Sequence, residues 1–195
     1  MKSLSLSQPH LLITVGIPGS GKSFFAQRFA KTFRAPYVDY SALLDTSHGN
    51  ESISDAHAGY MLKELFKTGH TIVFDGPSAT VAERGALRDL AASAGYACLF
   101  IWSQTDVTTA KTRYLKESRK LGRHTSSGQY DSVMRAFVAP TPKEGMVVVI
   151  SGKHTYATQA KAVLKNLASA KQTARSIGAN DHAGLTPGKR TISVQ

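Results

Sequence analysis

Lys22 and Ser23 close the stretch "GIPGSGKS". There Gly16, Gly21, Lys22 and Ser23 satisfy the spacing G-x-x-x-x-G-K-[ST], and Gly19 adds a third glycine. That spacing suits the capture of a phosphate chain. Glycines let backbone N–H groups close around a β-phosphate, a lysine at this position reaches the β- and γ-oxygens, and the hydroxyl next to it can ligate Mg²⁺. Pro18 and Ser20 complete the run, so the candidate nucleotide-binding residues are Gly16, Pro18, Gly19, Ser20, Gly21, Lys22 and Ser23.

Three further places carry groups able to act on a bound phosphate. Asp75 ends the apolar run "HTIVFDGP", where a carboxylate either holds Mg²⁺, with Ser23 as second metal ligand, or caps the following turn. Asp39 ends "PYVD". It can orient and deprotonate an attacking hydroxyl, or serve as the N-cap of a short helix starting at Tyr40. In "TDVTTAKTRYLKESRKLGRH", drawn as a helix, Val107, Ala110, Tyr114 and Leu121 share one face. Arg113, Lys116 and Lys120 share another, with Arg119 and Arg123 at its edge. Either this is a solvated basic face, or Arg113 or Arg119 stabilises charge on the γ-phosphate. Arg84 and Arg88, one helical turn apart, read equally as acceptor ligands or as surface side chains.

These groups need a scaffold, and the patterning supplies one. The β-rich run "HLLITV" precedes the glycine loop, and Ala26, Phe29, Ala30 and Phe33 follow it at helical spacing. Strands are predicted over 10–15, 36–39, 70–75, 97–102 and 146–150. Helices are predicted over 22–33, 51–67, 80–94, 105–121, 130–138 and 155–169, the last with Tyr156, Ala160, Val163, Leu164 and Leu167 on one stripe. Alternation of this kind gives an α/β fold, a parallel sheet covered on both faces, with ligands at the carboxyl ends of its strands. After Ala170 the large apolar residues thin out. The expected division is therefore a domain over 1–170 and a basic, disordered tail over 171–195.

Composition sets the outer bounds. The 195 residues are 42% hydrophobic and 19% charged, as in an ordinary globular domain. One cysteine, Cys98, builds neither a disulfide framework nor a zinc site, and the histidines show no metal-ligand spacing. No apolar run is long enough to span a bilayer, and "MKSLSLSQPH" lacks a signal-peptide core. The expectation is a cytoplasmic protein with no membrane partner. Net charge is +11, of which residues 151–195 contribute +6. Such a surplus favours electrostatic contact with nucleic acid as a tendency.

Loop, Asp39, Asp75 and the arginine-bearing segment together resemble the small P-loop kinases of the polynucleotide-kinase-like group, which also holds many predicted bacterial ATP-binding kinases. "GIPGSGKS" resembles that family's loop, "DGPSATVAERGALRDLAASAGY" its strand-three Asp and following helix, and "FVAPTPKEGMVVVISG" the approach to its last strand. The likeness runs from about residue 10 to 168. It implies a P-loop NTPase three-layer sandwich with a five-stranded parallel sheet and a helical lid. It further implies ATP- and Mg²⁺-dependent phosphorylation of a hydroxyl acceptor. By position, Lys22, Asp39, Arg113 and Arg119 would be catalytic, with Ser23 and Asp75 at the metal. Ala42 departs from the family, which has an acceptor-binding Arg there.

Other nucleotide users fit less well. A GTPase switch needs [NT]-K-x-D and D-x-x-G, and the chain has neither in place. The alternative is a P-loop protein without kinase activity, an ATPase or a nucleic-acid-binding module.

Overall fold

The computed structural model describes residues 8–121 and 126–180. In chain order its elements are β1 (His10–Val15), α1 (Lys22–Phe33), β2 (Tyr37–Asp39), α2 (Tyr40–Thr46), α3 (Glu51–Phe66), β3 (Ile72–Asp75) and α4 (Val81–Ser93). They continue with β4 (Ala97–Gln104), α5 (Val107–Lys120), α6 (Ser127–Ala136), a 3-10 turn (Pro142–Glu144), β5 (Met146–Ser151) and α7 (Tyr156–Asn180).

The five strands form one parallel sheet in the order β2-β3-β1-β4-β5. Alternation along the strands sorts side chains into two cores. Leu12, Val73, Leu99, Ile101, Val148 and Ile150 meet Phe25, Ala26, Phe29, Ala30 and Phe33 of α1 and Ala160, Val163 and Leu167 of α7. On the opposite face Leu11, Ile13, Val38, Ile72, Phe74 and Phe100 pack under α3 and α4. The expected three-layer P-loop architecture is therefore present, and the periodic residues of α1 and α7 form its first layer. Among the described residues, no helix is long and apolar enough to cross a membrane.

Several boundaries differ from the sequence reading. A short α2 follows β2, because the Asp39 carboxylate caps it through the amides of Ser41 and Ala42. α6 ends at Ala136 instead of 138, since the Val138 N–H leaves the helical pattern and donates to Ala79 O at 2.8 Å. α7 runs past 169 to Asn180, in a stretch where Ala170, Lys171, Gln172, Ala174 and Arg175 favour helix and no proline comes before position 187. Residues 181–195 of the expected tail, and Arg123, lie outside the described residues. On α5, Ala110 is buried, but Val107 and Leu121 are exposed, so the apolar face drawn there does not enter the core.

Arg84 is neither an acceptor ligand nor a surface side chain. It is fully buried, and its Nε donates to Glu144 Oε2 at 2.7 Å. Its Nη1 donates to the carbonyls of Ser78, Ala79 and Val138. The guanidinium thus ties the loop after β3 to the segment leading into β5. The hydrogen bond from Arg84 holds the Glu144 carboxyl below its usual range. A carboxyl depressed in this way stabilises the fold above its unfolded pKa, and that contribution disappears as pH falls through the folded value. Glu144→Ala is expected to cost about 3 kcal/mol at neutral pH, because it strands a buried cation. Denaturation midpoints at pH 7 and pH 4 check this: the gap between variant and wild type should narrow in acid.

Candidate active site

The glycine loop joins β1 to α1, and its conformation leaves the helix start open. Gly21 is the N-cap of α1 with φ 94°, and among the described residues no side chain caps the helix. In contrast, side chains cap α3 (Asn50), α4 (Thr80) and α5 (Asp106). The first amides of α1 are therefore presented to whatever sits above them, with the helix dipole behind them.

The loop is packed firmly from below and behind. A Cβ added at Gly16, where φ is 152°, would come within 2.6 Å of Ser20 Oγ and 2.8 Å of Ser103 O. One at Gly19 would collide with the Ala110 carbonyl of α5, whereas one at Gly21 would meet nothing within 4 Å. Two glycines are thus required by close approach, and the third faces open space. The Ser20 carbonyl accepts from Ser103 Oγ (2.9 Å) and Thr105 Oγ1 (3.1 Å) at the end of β4. The Ser20 hydroxyl, fully buried, has no hydrogen-bond partner among the described residues. Pro18 sits in the same loop, in the turn closed by the Ser20 N–H donating to Ile17 O.

Lys22 opens α1, and Ser23 is exposed beside it. Burial lowers the Lys22 pKa, and the Asp75 charge opposes that shift. Asp75 is itself buried at the end of β3 and accepts from Thr14 Oγ1 at 2.6 Å. Asp39 lies directly across from Asp75 in the β2–β3 register. Both carboxylates point to the face that carries α1, because Tyr37, Asp39, Val73, Asp75 and Thr14 alternate onto one side. Asp39 Oδ1 accepts from the amides of Ser41 (3.0 Å) and Ala42 (3.3 Å), which fixes its rotamer. Tyr37 stands with both acids. Its hydroxyl is 3.5 Å from Asp75 Oδ2, and burial, then the two carboxylates, raise its pKa.

The sheet thus brings Lys22, Ser23, Asp39 and Asp75 to one edge. Arg113 of α5 lines a pocket of about 340 Å³ on the other flank of the loop, with Ser20, Gly21, Phe24, Gly152 and His154. Arg119 lies six residues on, about 9 Å along the helix axis, and does not line that pocket. α5 is braced against α6 by Lys111 Nζ to Asp131 Oδ1 at 2.8 Å and by the Tyr114–Tyr130 ring pair. Thr14, Tyr37 and Ser103 escaped the sequence reading. A threonine inside the otherwise apolar "HLLITV" was the available signal for the first.

A single carboxylate and a single hydroxyl are a poor cage for Ca²⁺ or Zn²⁺. They suit Mg²⁺, which keeps waters and takes its other ligands from phosphates. Among the described residues no cluster of three or more His, Cys, Asp or Glu could hold a metal unaided. The uncapped amides and the half-buried Lys22 cation likewise fit a polyphosphate.

Residues 11–140 match the AAA domain family. The structure is similar to a candidate kinase from Chloroflexus aurantiacus, at 15% identity and TM-score 0.69 over 82% of this chain and 99% of that one. It is also similar to the APS kinase of Mycobacterium tuberculosis, solved with AMPPNP and APS, at 18% identity and TM-score 0.61 over 82% and 98%. Kti12 of Chaetomium thermophilum, solved with ADP-AlF3, aligns at 17% identity and TM-score 0.63 over 83% and 98%. No curated protein matches the sequence. These likenesses establish a P-loop kinase-like fold.

Lys22→Ala is expected to weaken ATP binding by about 10- to 100-fold, the loss of a charge-assisted contact of roughly 1.5–3 kcal/mol. Calorimetric titration of ATP into variant and wild type checks it. The melting temperature without nucleotide should change little, since the desolvation that lowers the Lys22 pKa opposes its attraction to Asp75.

Proposed function

We propose that this chain, which belongs to the AAA domain family, is an ATP-dependent phosphotransferase with a hydroxyl acceptor. The observation that carries the reading is the pairing of Asp39 with Asp75, in register at the carboxyl edge and on the side of the uncapped α1. A switch or a simple phosphate-binding module needs the loop and one metal-associated acid. A second carboxylate beside it has its best use in handling the proton of an attacking hydroxyl.

In this reading the α1 amides and Lys22 hold the β- and γ-phosphates. Ser23 and Asp75 would hold Mg²⁺, which would neutralise charge on the phosphate chain. Thr14, through its 2.6 Å hydrogen bond, and Tyr37 keep Asp75 in place. Asp39, its rotamer fixed by two amides, accepts the proton as the acceptor oxygen attacks the γ-phosphorus. Arg113 brings positive charge to the nucleotide flank of the loop. The similarity in fold to an APS kinase supports phosphoryl transfer without naming the acceptor.

Asp39→Asn is expected to leave ATP affinity near the wild-type value and to lower phosphoryl transfer by about a hundredfold or more. The check is release and transfer of label from γ-labelled ATP across a panel of hydroxyl compounds. Normal transfer by the variant would reduce Asp39 to a helix cap.

A further inference from the structure

The net charge of +11 is concentrated in one layer of the molecule. Residues 16–38 and 151–180 hold nine cations and no carboxylate, a net +9. The other 142 residues hold 15 cations and 13 carboxylates, a net +2. The fold lays the two basic stretches side by side, because they contain α1 and α7, which cover the same face of the sheet. On the opposite face, α3 and α4 carry five carboxylates against three cations.

The α1–α7 layer also lacks the compensation found on the basic α5. There Lys111 pairs with Asp131 at 2.8 Å and Lys120 with Glu117 at 3.9 Å. Arg28, Lys31, Lys161 and Lys165 are exposed, and among the described residues none of the four makes an ion pair. Arg28 and Lys31 stand one turn apart on α1, as Lys161 and Lys165 do on α7, and like charges at that spacing repel. A polyanion laid over the layer would relieve the repulsion.

The outer face of α1 has room for one. A groove of about 690 Å³ is lined by Phe24, Gln27, Arg28, Lys31 and Thr32. A second, of about 620 Å³, shares Gln27 and Lys31 and continues to Tyr37 and His70 beside the edge strand β2. Neither is lined by a carboxylate. The Arg28 guanidinium lies 4.6 Å from the Tyr156 ring centre, and the Tyr156 hydroxyl donates to Thr32 Oγ1 at 2.7 Å. These contacts fasten α7 to α1, so the two rows of cations form one surface. A membrane-binding face would present several large apolar residues to the acyl chains. Among the described residues of α1 and α7, Phe24 alone is a large apolar side chain left exposed. The chemistry therefore suits a chain of phosphodiesters better than a bilayer.

We propose that the α1–α7 layer is a docking surface for nucleic acid, held through its phosphodiester backbone and without base readout. The surface uses neither Lys22 nor the two strand-end acids, and it goes beyond the phosphotransferase reading without resting on it. Contacts from Lys and Arg to phosphates release counterions, so the binding is steeply salt-dependent.

The test titrates the full chain into a fluorescein-labelled single strand of about 20 nucleotides, followed by anisotropy over a salt series. The strand carries a 5′ phosphate, so it offers no 5′-hydroxyl to the active edge. Affinity should fall by about 10- to 100-fold between about 50 and 200 mM salt. The triple variant Lys31→Gln/Lys161→Gln/Lys165→Gln should bind at least about tenfold more weakly at about 50 mM salt, with a shallower salt dependence. It should melt no lower than wild type, since like-charge repulsion is removed. The control Lys63→Gln/Lys116→Gln/Lys143→Gln removes the same charge from exposed positions elsewhere. It should bind within about threefold of wild type. Saturating ATP and Mg²⁺ at constant ionic strength should leave the strand bound. Displacement by ATP would put the strand on the glycine loop and overturn the proposal. So would absence of binding at low salt, a triple variant that binds like wild type, or equal losses in the two variants. Binding to phosphatidylglycerol vesicles but not to the strand would assign the layer to a membrane and overturn it too. If ATP neither binds nor turns over, the phosphotransferase reading fails while the strand-binding result stands.

Discussion

The start of α1 has amides that no side chain among the described residues caps, and most of the site is arranged around that deficiency. Gly21 caps the helix with a left-handed backbone and offers no side-chain acceptor. A helix end left in this state wants an anion, and the dipole favours one. Keeping the end open requires a loop that cannot relax onto it. Gly16 is pressed against Ser103 and Ser20, and Gly19 against the backbone of α5. Ser103 and Thr105 then hold the Ser20 carbonyl from beneath. The loop's shape is thus set by β4 and α5 as much as by its own glycines.

The parallel sheet turns this open helix end into a site by bringing other groups to the same edge. β3 separates β2 from β1, so Asp39 and Asp75 arrive side by side next to the loop. Alternation puts both on the α1 side along with Thr14 and Tyr37. Burial then makes the charges interdependent. Lys22 is desolvated and drawn to Asp75, and Tyr37 is kept protonated by burial and by both acids. Removing any one of these charges alters the electrostatics of the others.

How far the sequence discloses all this depends on how local each signal is. The loop, its flanking strand and helix, and the strand-end positions of Asp39 and Asp75 are written in contiguous residues, and the structure places them at one edge. Arg84 was illegible because its partners, Val138 and Glu144, lie 54 and 60 residues away. The end of α6 was set by a hydrogen bond from Val138 to Ala79, equally distant in the chain. The face of α5 was misdrawn because Ala110 packs on the glycine loop while Val107 and Leu121 stay in solvent.

The uncapped start of α1 and Lys22 stand together where the β-phosphate of a nucleotide would be gripped. Calorimetric affinities of ATP, ADP and AMP, measured in Mg²⁺ at one ionic strength, test that grip most directly. ATP and ADP should bind at least about tenfold more tightly than AMP, since AMP leaves the loop amides and Lys22 without their ligand. Equal affinities for ADP and AMP would contradict it.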